Sequence, residues 1–501
     1  MRSTTHLDAR GRSFAKAVLL SCVVAAIACH GSAALAQEHA GPGGIWQLPR
    51  VAPAPASNRT RAVRTCESLS HSHPSRTAVI REARVMPQGN GEREWCRVTI
   101  EIAPDAASAA MLVWLALPSE WNGRFLGLGG GGWMPGFPDA LDAGARLGFA
   151  TAITNAGRPY DLSTPAETLR DLVGRNDFLR AADGHLDWNA LEKFAYRGIH
   201  EMTVLGKSVT TDFYGHAPRY DYFSGCSTGG RQGQAEVQRY PDDYDGVVSG
   251  SPAINWAHFA AAESWVRVVT NELGPVAPCK YEAARRAAVA ACDSRDGIRD
   301  GLASIGCDFD ARALIGSHTD CGIFDAHDAD VIRRIWDGPR RRDGSRLWSG
   351  VDPTALIHAP PPLDAAQARA SPFSEASAGP LVPSMAEFED EFDAFVDRYG
   401  PVMDTSDPDL SAFADGGGKT IIWHGVADDV IPVAGTVHYV DAIRRTLGAE
   451  KTNSFLRFYL APGVGHCGGG EGPHPVALLD ALMEWVEQGR PPTLGRRFPS
   501  L

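Results

Sequence analysis

The stretch Tyr222-Phe223-Ser224-Gly225-Cys226-Ser227-Thr228-Gly229-Gly230-Arg231-Gln232 decides how this chain is read. It holds Gly-x-Ser-x-Gly, with Gly225, Ser227 and Gly229 in register. Tyr220 to Ser224 alternates aromatic and polar residues and reads as a strand. Arg231 to Arg239 is interrupted only by Gly233 and reads as a helix. A serine on so sharp a strand-to-helix turn needs small residues two positions to either side, because the bent backbone leaves little room for a Cβ. At the head of a helix, free N–H groups can also stabilise a developing oxyanion. This is the pattern of a nucleophile elbow. The competing reading is a Gly-rich turn with an ordinary serine, and five residues alone do not separate the two.

A serine hydroxyl is a weak nucleophile and needs a base that is itself oriented by an acid. Downstream, strand Thr420 to His424 runs into Gly425-Val426-Ala427-Asp428-Asp429, which offers two acids. Strand Phe455 to Leu460 is followed by Val464-Gly465-His466-Cys467 in a Gly-rich loop. The order serine, acid, histidine, with each partner just past a later strand, fits an elbow on a parallel sheet. Spacing leaves Asp428 and Asp429 equal, and His466 taken alone would be a surface histidine. Upstream, strand Arg124 to Leu128 ends in four consecutive glycines, Gly129 to Gly132, then Trp133-Met134-Pro135-Gly136. Such a loop permits close backbone approach to a ligand and can donate an N–H to an oxyanion; the bland alternative is a linker.

Cys226 adjoins Ser227 and Cys467 adjoins His466. If the two side chains bond, their neighbours come within disulfide range, and a Cys226–Cys467 bridge would clamp base to nucleophile. Two unrelated thiols are the alternative.

These features resemble the tannase/feruloyl esterase family, which includes the plastic-monomer hydrolase MHETase. The resemblance lies in Cys226-Ser227, Asp428 and His466-Cys467, in Glu120-Trp121-Asn122-Gly123-Arg124-Phe125, in Gly225-Cys-Ser-x-Gly-Gly-Arg-x-Gly233, and in His424-Gly-x-x-Asp428. It covers most of the chain. It implies an α/β-hydrolase fold with a large inserted lid and a Ser227–His466–Asp428 triad, choosing Asp428 over Asp429. It also implies an oxyanion hole from the backbone N–H groups of Gly132 and Thr228. Asp293, Asp296 and Asp300 crowd one short loop, which on composition alone is a solvated acidic turn. The resemblance instead implies a structural Ca²⁺ held by those three side chains and the carbonyls of Ile298 and Leu302, with Cys292–Cys307 closing the loop. The chain departs from the family pattern at Ile315-Gly316-Ser317, near which a further lid cysteine often stands. Cys279 is then assigned to Cys321 by elimination.

The implied activity is that of a secreted serine carboxylesterase acting on phenolic or aromatic acid esters. A feruloyl esterase comes first, with a tannase or an MHETase-like monoester hydrolase as alternatives. Its substrate would be a small aromatic ester, free or attached to plant polysaccharide or polyphenol. No organic cofactor is expected. A non-catalytic hydrolase-fold binding protein and a serine peptidase are the competing classes.

The rest of the chain sets the frame. Its 501 residues suit one large domain with an insertion, and a hydrophobic content of 44% suffices for a sizeable core. Formal net charge is −12, which argues against nucleic acid or an anionic membrane as partner. Arg2, Arg10, Arg12 and Lys16 precede the apolar run Ala17 to Cys29, and Ala34-Leu35-Ala36 forms a small-x-small site. Residues 1–36 therefore read as a signal peptide cleaved after Ala36, giving a secreted or periplasmic protein. Acylation at Cys29 is the second reading. Removing these residues takes away four basic groups and one acidic group and leaves a formal charge of −15.

Of the ten cysteines, eight lie past the leader, an even number suited to an oxidising compartment. Residues 37–100 read as a Pro-, Ala- and Arg-rich lead-in, then a segment closed by Cys66 and Cys96. Residues 101–255 read as the first part of an α/β core. Within them Arg97 to Ile102 (entering from the lead-in), Met111 to Leu117 and Gly148 to Thr154 are strands, and Leu191 to Lys207 is a helix. The strand–helix alternation lapses over 256–415, read as the lid. It resumes over 416–501 with a helix near Thr436 to Leu447 and a last helix at Pro475 to Glu487.

Overall fold

The apolar runs that mark strands in the sequence assemble into one nine-stranded sheet. The computed structural model describes residues 59–86, 94–103, 109–159, 176–355, 357, 384–495 and 498–499. The leader with its cleavage site, Cys29, residues 37–58, Pro360 to Pro362 and Ala376 to Pro383 lie outside the described residues.

The strands are β1 (Ala78–Met86), β2 (Trp95–Ile102), β3 (Met111–Pro118), β4 (Arg124–Leu128), β5 (Ala150–Thr154), β6 (Tyr220–Cys226) and β7 (Gly246–Gly250). A small separate hairpin, β8 (His318–Thr319) and β9 (Gly322–Ile323), precedes β10 (Lys419–Gly425) and β11 (Leu456–Ala461). The order across the large sheet is β1-β2-β3-β5-β4-β6-β7-β10-β11. β1, β2, β3 and β5 pair antiparallel, and every pairing from β5 through β11 is parallel. This is the mostly parallel α/β arrangement of an α/β-hydrolase.

Alternation along each strand divides the core into two layers. Val113, Leu115 and Leu117 of β3 pack with Phe223, Val247, Ile422, Phe458 and Leu460 on one face. Trp114 and Ala116 pack with Tyr222, Val248, Ile421 and Trp423 on the other. The first face is covered by the helices Gly198–Tyr214 and Val433–Leu447, through Ile199, Met202, Val209, Tyr439 and Ile443. The second is covered by the helices Leu141–Arg146 and Leu478–Gln488, through Leu141, Ala145, Leu478, Leu482 and Trp485. Burial on both faces is why these parallel strands read as continuous apolar runs.

Several sequence expectations shift at their edges. β1 had no expectation at all. Its exposed positions include Val79 and Val85, so its pattern lacks the clean alternation of a half-buried strand. β1 and β2 put residues 78–86 and 95–102 into the main sheet. The helix expected over Leu191 to Lys207 runs from Trp188 to Tyr214, with a π-helical segment at Lys193–Arg197. It starts where Asp187 accepts the N–H groups of Asn189 and Ala190, an N-cap that periodicity does not reveal. The elbow helix begins at Thr228 rather than Arg231, its small first-turn residues masking it. The last helix begins at Leu478 rather than Pro475.

Between β7 and β10 the chain forms helices with a core of their own, built on Trp265, Val268, Tyr281, Phe324, Ile332 and Phe388. No described helix is long and apolar enough to cross a membrane.

The last helix is tied to the sheet by a polar clasp. The Arg124 guanidinium donates two bonds to the Glu487 carboxylate at 2.6 and 2.7 Å, and the Tyr222 hydroxyl donates a third at 2.8 Å. Removing the charge leaves Arg124 largely buried beside a neutral amide. Glu487→Gln is expected to lower stability in urea denaturation by about 2 kcal/mol, the loss of one largely buried charge pair. An unchanged midpoint would mean that the apolar face alone holds this helix.

Candidate active site

Four strand ends converge at the carboxyl edge of the sheet, where β4, β6, β10 and β11 each deliver one part of a site. Ser227 closes β6 and opens the helix Thr228–Arg239, with φ +62° and ψ −122°. A non-glycine residue rarely adopts that backbone, and its neighbours hold it there. Ser227 N–H donates to Gly250 O at 2.9 Å, and Ser227 O accepts from Arg231 at 3.0 Å and Ala253 at 3.2 Å. A Cβ at Gly225 would lie 2.5 Å from the Gly229 carbonyl carbon, so the bend closes only without one. The two outer glycines of the motif thus have a steric cause.

Ser227 Oγ donates to His466 Nε2 at 2.9 Å, and His466 Nδ1 donates to Asp428 Oδ2 at 2.9 Å. Asp428 Oδ1 accepts the N–H groups of Val430 and Ile431 at 2.9 and 2.8 Å. The three side chains quoted as nucleophile, base and acid are therefore one hydrogen-bonded chain. Asp429 instead lies along a cleft with His466 and Glu471.

A residue whose role the sequence did not show completes the set. His424 is fully buried at the end of β10. Its Nε2 faces two acceptors, Ile431 O at 3.0 Å and Asp428 Oδ2 at 3.1 Å, and so carries the proton. Its Nδ1 accepts from the Thr436 hydroxyl at 2.9 Å. Burial alone would push the Asp428 carboxyl up. The neighbouring His466 and the hydrogen bond from His424 outweigh it and hold this acid well below the usual carboxylate range. Burial would likewise lower the His466 imidazole, but the charge and hydrogen bond of Asp428 hold it above the ordinary histidine value.

The glycine loop after β4 is laid against the elbow helix. Gly229 N–H donates to Gly130 O at 2.9 Å, and Thr228 Oγ1 donates to Gly132 O at 2.7 Å. A Cβ at Gly129 would lie 2.5 Å from Gly229 Cα. Gln232, fully buried one helical turn past the serine, spans the loop. Its Oε1 accepts Gly130 N–H at 2.9 Å and its Nε2 donates to Pro135 O at 3.1 Å. Gly132 takes φ +54° in the turn closed by Gly131 and Met134. The loop thus brings Gly132 beside Thr228, whose N–H heads the helix and has no intrahelical acceptor.

Arg231, also fully buried, donates to the carbonyls of Ala195 and Phe194 at 2.5 and 3.1 Å, and burial pushes its guanidinium down to about 9. The π-helical segment turns those two carbonyls toward it. Arg231 and Gln232 stood in the opening stretch. Their signal was polarity on a helix with no solvent-facing pattern.

The eight cysteines stand in four bridges. Cys226–Cys467 has a Cα–Cα distance of 5.9 Å, Cys66–Cys96 5.4 Å, Cys279–Cys321 6.2 Å and Cys292–Cys307 5.7 Å. The last closes the acidic loop. There Asp293 Oδ1 accepts from Asp300 and Gly301 N–H, Asp296 Oδ1 from Ile298 N–H, and Asp300 Oδ1 from Leu302 N–H. Each carboxylate keeps its second oxygen, an all-oxygen donor set that suits a hard cation. Among the described residues, these three do not form a group whose oxygens converge within 4.8 Å.

Comparison with known proteins places this chain among relatives. A family profile described as "Tannase and feruloyl esterase" matches residues 96–363 and 380–495. A "Probable feruloyl esterase" of Arthroderma benhamiae is 36% identical over 406 residues, covering 76% of this chain and 74% of that protein. A "Tannase" of Aspergillus oryzae is 28% identical, over 80% of this chain and 79% of that one. Among solved structures, a tannin acyl hydrolase from Aspergillus niger superposes with a TM-score of 0.73 at 26% identity, covering 83% of this chain and 85% of its own.

The Cys226–Cys467 bridge spans 241 residues and joins the neighbours of Ser227 and His466. Replacing both cysteines by serine is expected to cost about 3–5 kcal/mol in reversible denaturation. A loss below 1 kcal/mol would show that packing alone sets the approach of the two loops.

Proposed function

The chain belongs to the tannase and feruloyl esterase family, whose members are carboxylic ester hydrolases, and from that premise we propose that it hydrolyses phenolic acid esters through an acyl-enzyme on Ser227. The observation that carries this reading is the unbroken hydrogen-bonded chain Ser227–His466–Asp428 on a strained elbow.

Ser227 Oγ attacks the ester carbonyl while His466 Nε2 takes its proton. Asp428 holds the imidazole by Nδ1 and balances the imidazolium. The N–H groups of Gly132 and Thr228 receive the oxyanion. Collapse expels the alcohol, which takes the proton from Nε2. Water then attacks the acyl-serine and gives its proton to His466, which passes it from Nε2 to the departing Ser227 Oγ as the acid leaves. His424 keeps Asp428 ionised and fixed in plane, a positioning role.

The acyl group is a ferulate-like acid, supported by the similarity to the Arthroderma protein; the Aspergillus tannase makes galloyl esters the second candidate. The MHETase-like alternative would appear as turnover of a terephthalate monoester. A binding protein without catalysis has no need of a complete triad. The segment between β7 and β10 is read as the lid over the acyl site. The site works outside the cytoplasm, a reading supported by the bridges, with an aromatic ester free or bound to plant polymer as substrate.

Asp293, Asp296 and Asp300, with the carbonyls of Ile298 and Leu302, would hold a structural Ca²⁺. Its support is the donor chemistry and the bridge Cys292–Cys307 around the loop. The ion would neutralise mutually repelling carboxylates and takes no part in the steps above.

Three outcomes test this reading. Methyl ferulate should be cleaved faster than methyl gallate and MHET, and Ser227→Ala should lower turnover on the order of 10⁶-fold. A peptide p-nitroanilide turned over in preference to all three esters would favour the peptidase class instead. The base must be neutral to act, and its pKa is raised. The acid limb of kcat/KM should therefore fall above the ordinary histidine value, with activity lost as pH drops through it; a limb below that value would contradict the coupling to Asp428. Removing divalent ions with EGTA should lower Tm, Ca²⁺ should restore it, and Asp296→Asn should abolish the response. A Tm indifferent to Ca²⁺ would remove the ion from the account.

A further inference from the structure

The elbow helix has a second polar end. Glu236 stands nine residues beyond Ser227, about 13 Å along the helix at 1.5 Å per residue. It is 1% exposed, and neither carboxylate oxygen has a hydrogen-bond partner. A buried carboxylate left so is costly. Asp243, in the loop before β7, and His200, on the first turn of the helix Gly198–Tyr214, face it. One ligand atom from each of His200, Glu236 and Asp243 lies within 4.8 Å of the others.

His200 is held against its cluster partner, and the donors nearby are committed elsewhere. His200 Nδ1 is 2.7 Å from Asp243 Oδ2, and its ring stacks on Tyr240 at 3.8 Å. Lys207 pairs with Asp221 at 2.9 Å and donates to the Asp243 carbonyl. Thr203 spends its hydroxyl proton on Ile199 O at 2.8 Å, so the Tyr244 hydroxyl, 2.5 Å away, donates to Thr203 rather than to Glu236.

Two carboxylates face each other here and neither can donate. Something positive belongs between them. A single shared proton satisfies one Glu236 oxygen and leaves the other orphaned, whereas a cation engaged by both oxygens satisfies the pair. With Lys207 balanced by Asp221, the two carboxylates present two negative charges, matched by a divalent ion. The donors are two carboxylates and an imidazole nitrogen, a mixed set that suits zinc and its neighbours rather than Ca²⁺ or Mg²⁺. The His200 side chain is 32% exposed and Asp243 15%, so the cluster opens to solvent on one side.

We propose that His200, Glu236 and Asp243 bind one divalent transition-metal ion of zinc type. The ion ties the C-terminal end of the elbow helix to the neighbouring helix and to the loop before β7. It is structural: its ligands lie at the opposite end of the helix from Ser227 and touch no reacting group. It is separate from the acidic loop at Asp293 to Asp300, which lies beyond β7.

The test uses the full protein, stripped with a chelator and given Zn²⁺ or Ca²⁺ singly. Bound metal is measured after gel filtration, and Tm is recorded. Zinc should be retained in stoichiometric amount and raise Tm by about 5 °C when present well above its Kd. His200→Asn and Glu236→Gln should both abolish binding and the shift, and Co²⁺ should give a visible d–d band only with His200 and Glu236 in place. His200→Asn, at a partly exposed position, remains informative if Glu236→Gln fails to fold, and its ester turnover well below Tm should be unchanged. Equal zinc in the wild type and His200→Asn would overturn the proposal and leave a shared proton between Glu236 and Asp243. So would zinc lost only in Asp296→Asn, which would assign the ion to the acidic loop.

Discussion

Everything at the carboxyl edge of the sheet depends on how closely two backbones approach, the glycine loop after β4 and the first turn of the elbow helix. Cα of Gly229 lies only 2.5 Å from where a Cβ at Gly129 would stand. That contact lets Gly229 N–H reach Gly130 O and lets Thr228 hold Gly132 O. Gln232 then fixes the loop from within the helix itself. The element that carries the serine therefore also shapes the loop beside it. A methyl group at Gly129 or Gly229 would part nucleophile from loop before it disturbed either alone.

The opposite wall is held by covalent and ionic means. His466 comes from a glycine-rich loop, and the bridge from Cys467 to Cys226 anchors it next to the serine. Asp428 is fixed by two backbone N–H groups on one oxygen and by two histidines on the other. A carboxylate so surrounded stays ionised in spite of its burial. The two imidazoles are not equivalent. His466 touches Ser227, whereas His424 is enclosed between Asp428, Ile431 and Thr436 and reaches no substrate.

The sequence was most legible where a backbone constraint forces a residue type. Gly225 and Gly229 flank Ser227 because no Cβ fits, and the run Met111 to Leu117 is apolar because β3 is covered on both faces. The antiparallel edge was harder to read, since β1 exposes Val79 and Val85 and buries little. The buried polar residues were hardest of all. Gln232 and Arg231 act through partners from distant segments: Gln232 on Gly130 and Pro135, Arg231 on Phe194 and Ala195. No local pattern encodes a partner tens of residues away. The serine and histidine were legible because their order along the strands is itself a pattern, and the cysteines beside them pointed to the same approach; that order left Asp428 and Asp429 equal, and the family resemblance chose between them.

The most direct measurement is covalent labelling. The protein would be incubated with an aryl phosphonate ester, which transfers its phosphonyl group to an activated serine, and the modified peptide identified by mass spectrometry. A single adduct on Ser227, formed more slowly as pH falls through the His466 titration, is what this arrangement predicts. An adduct on another residue, or none while ester hydrolysis continues, would contradict it.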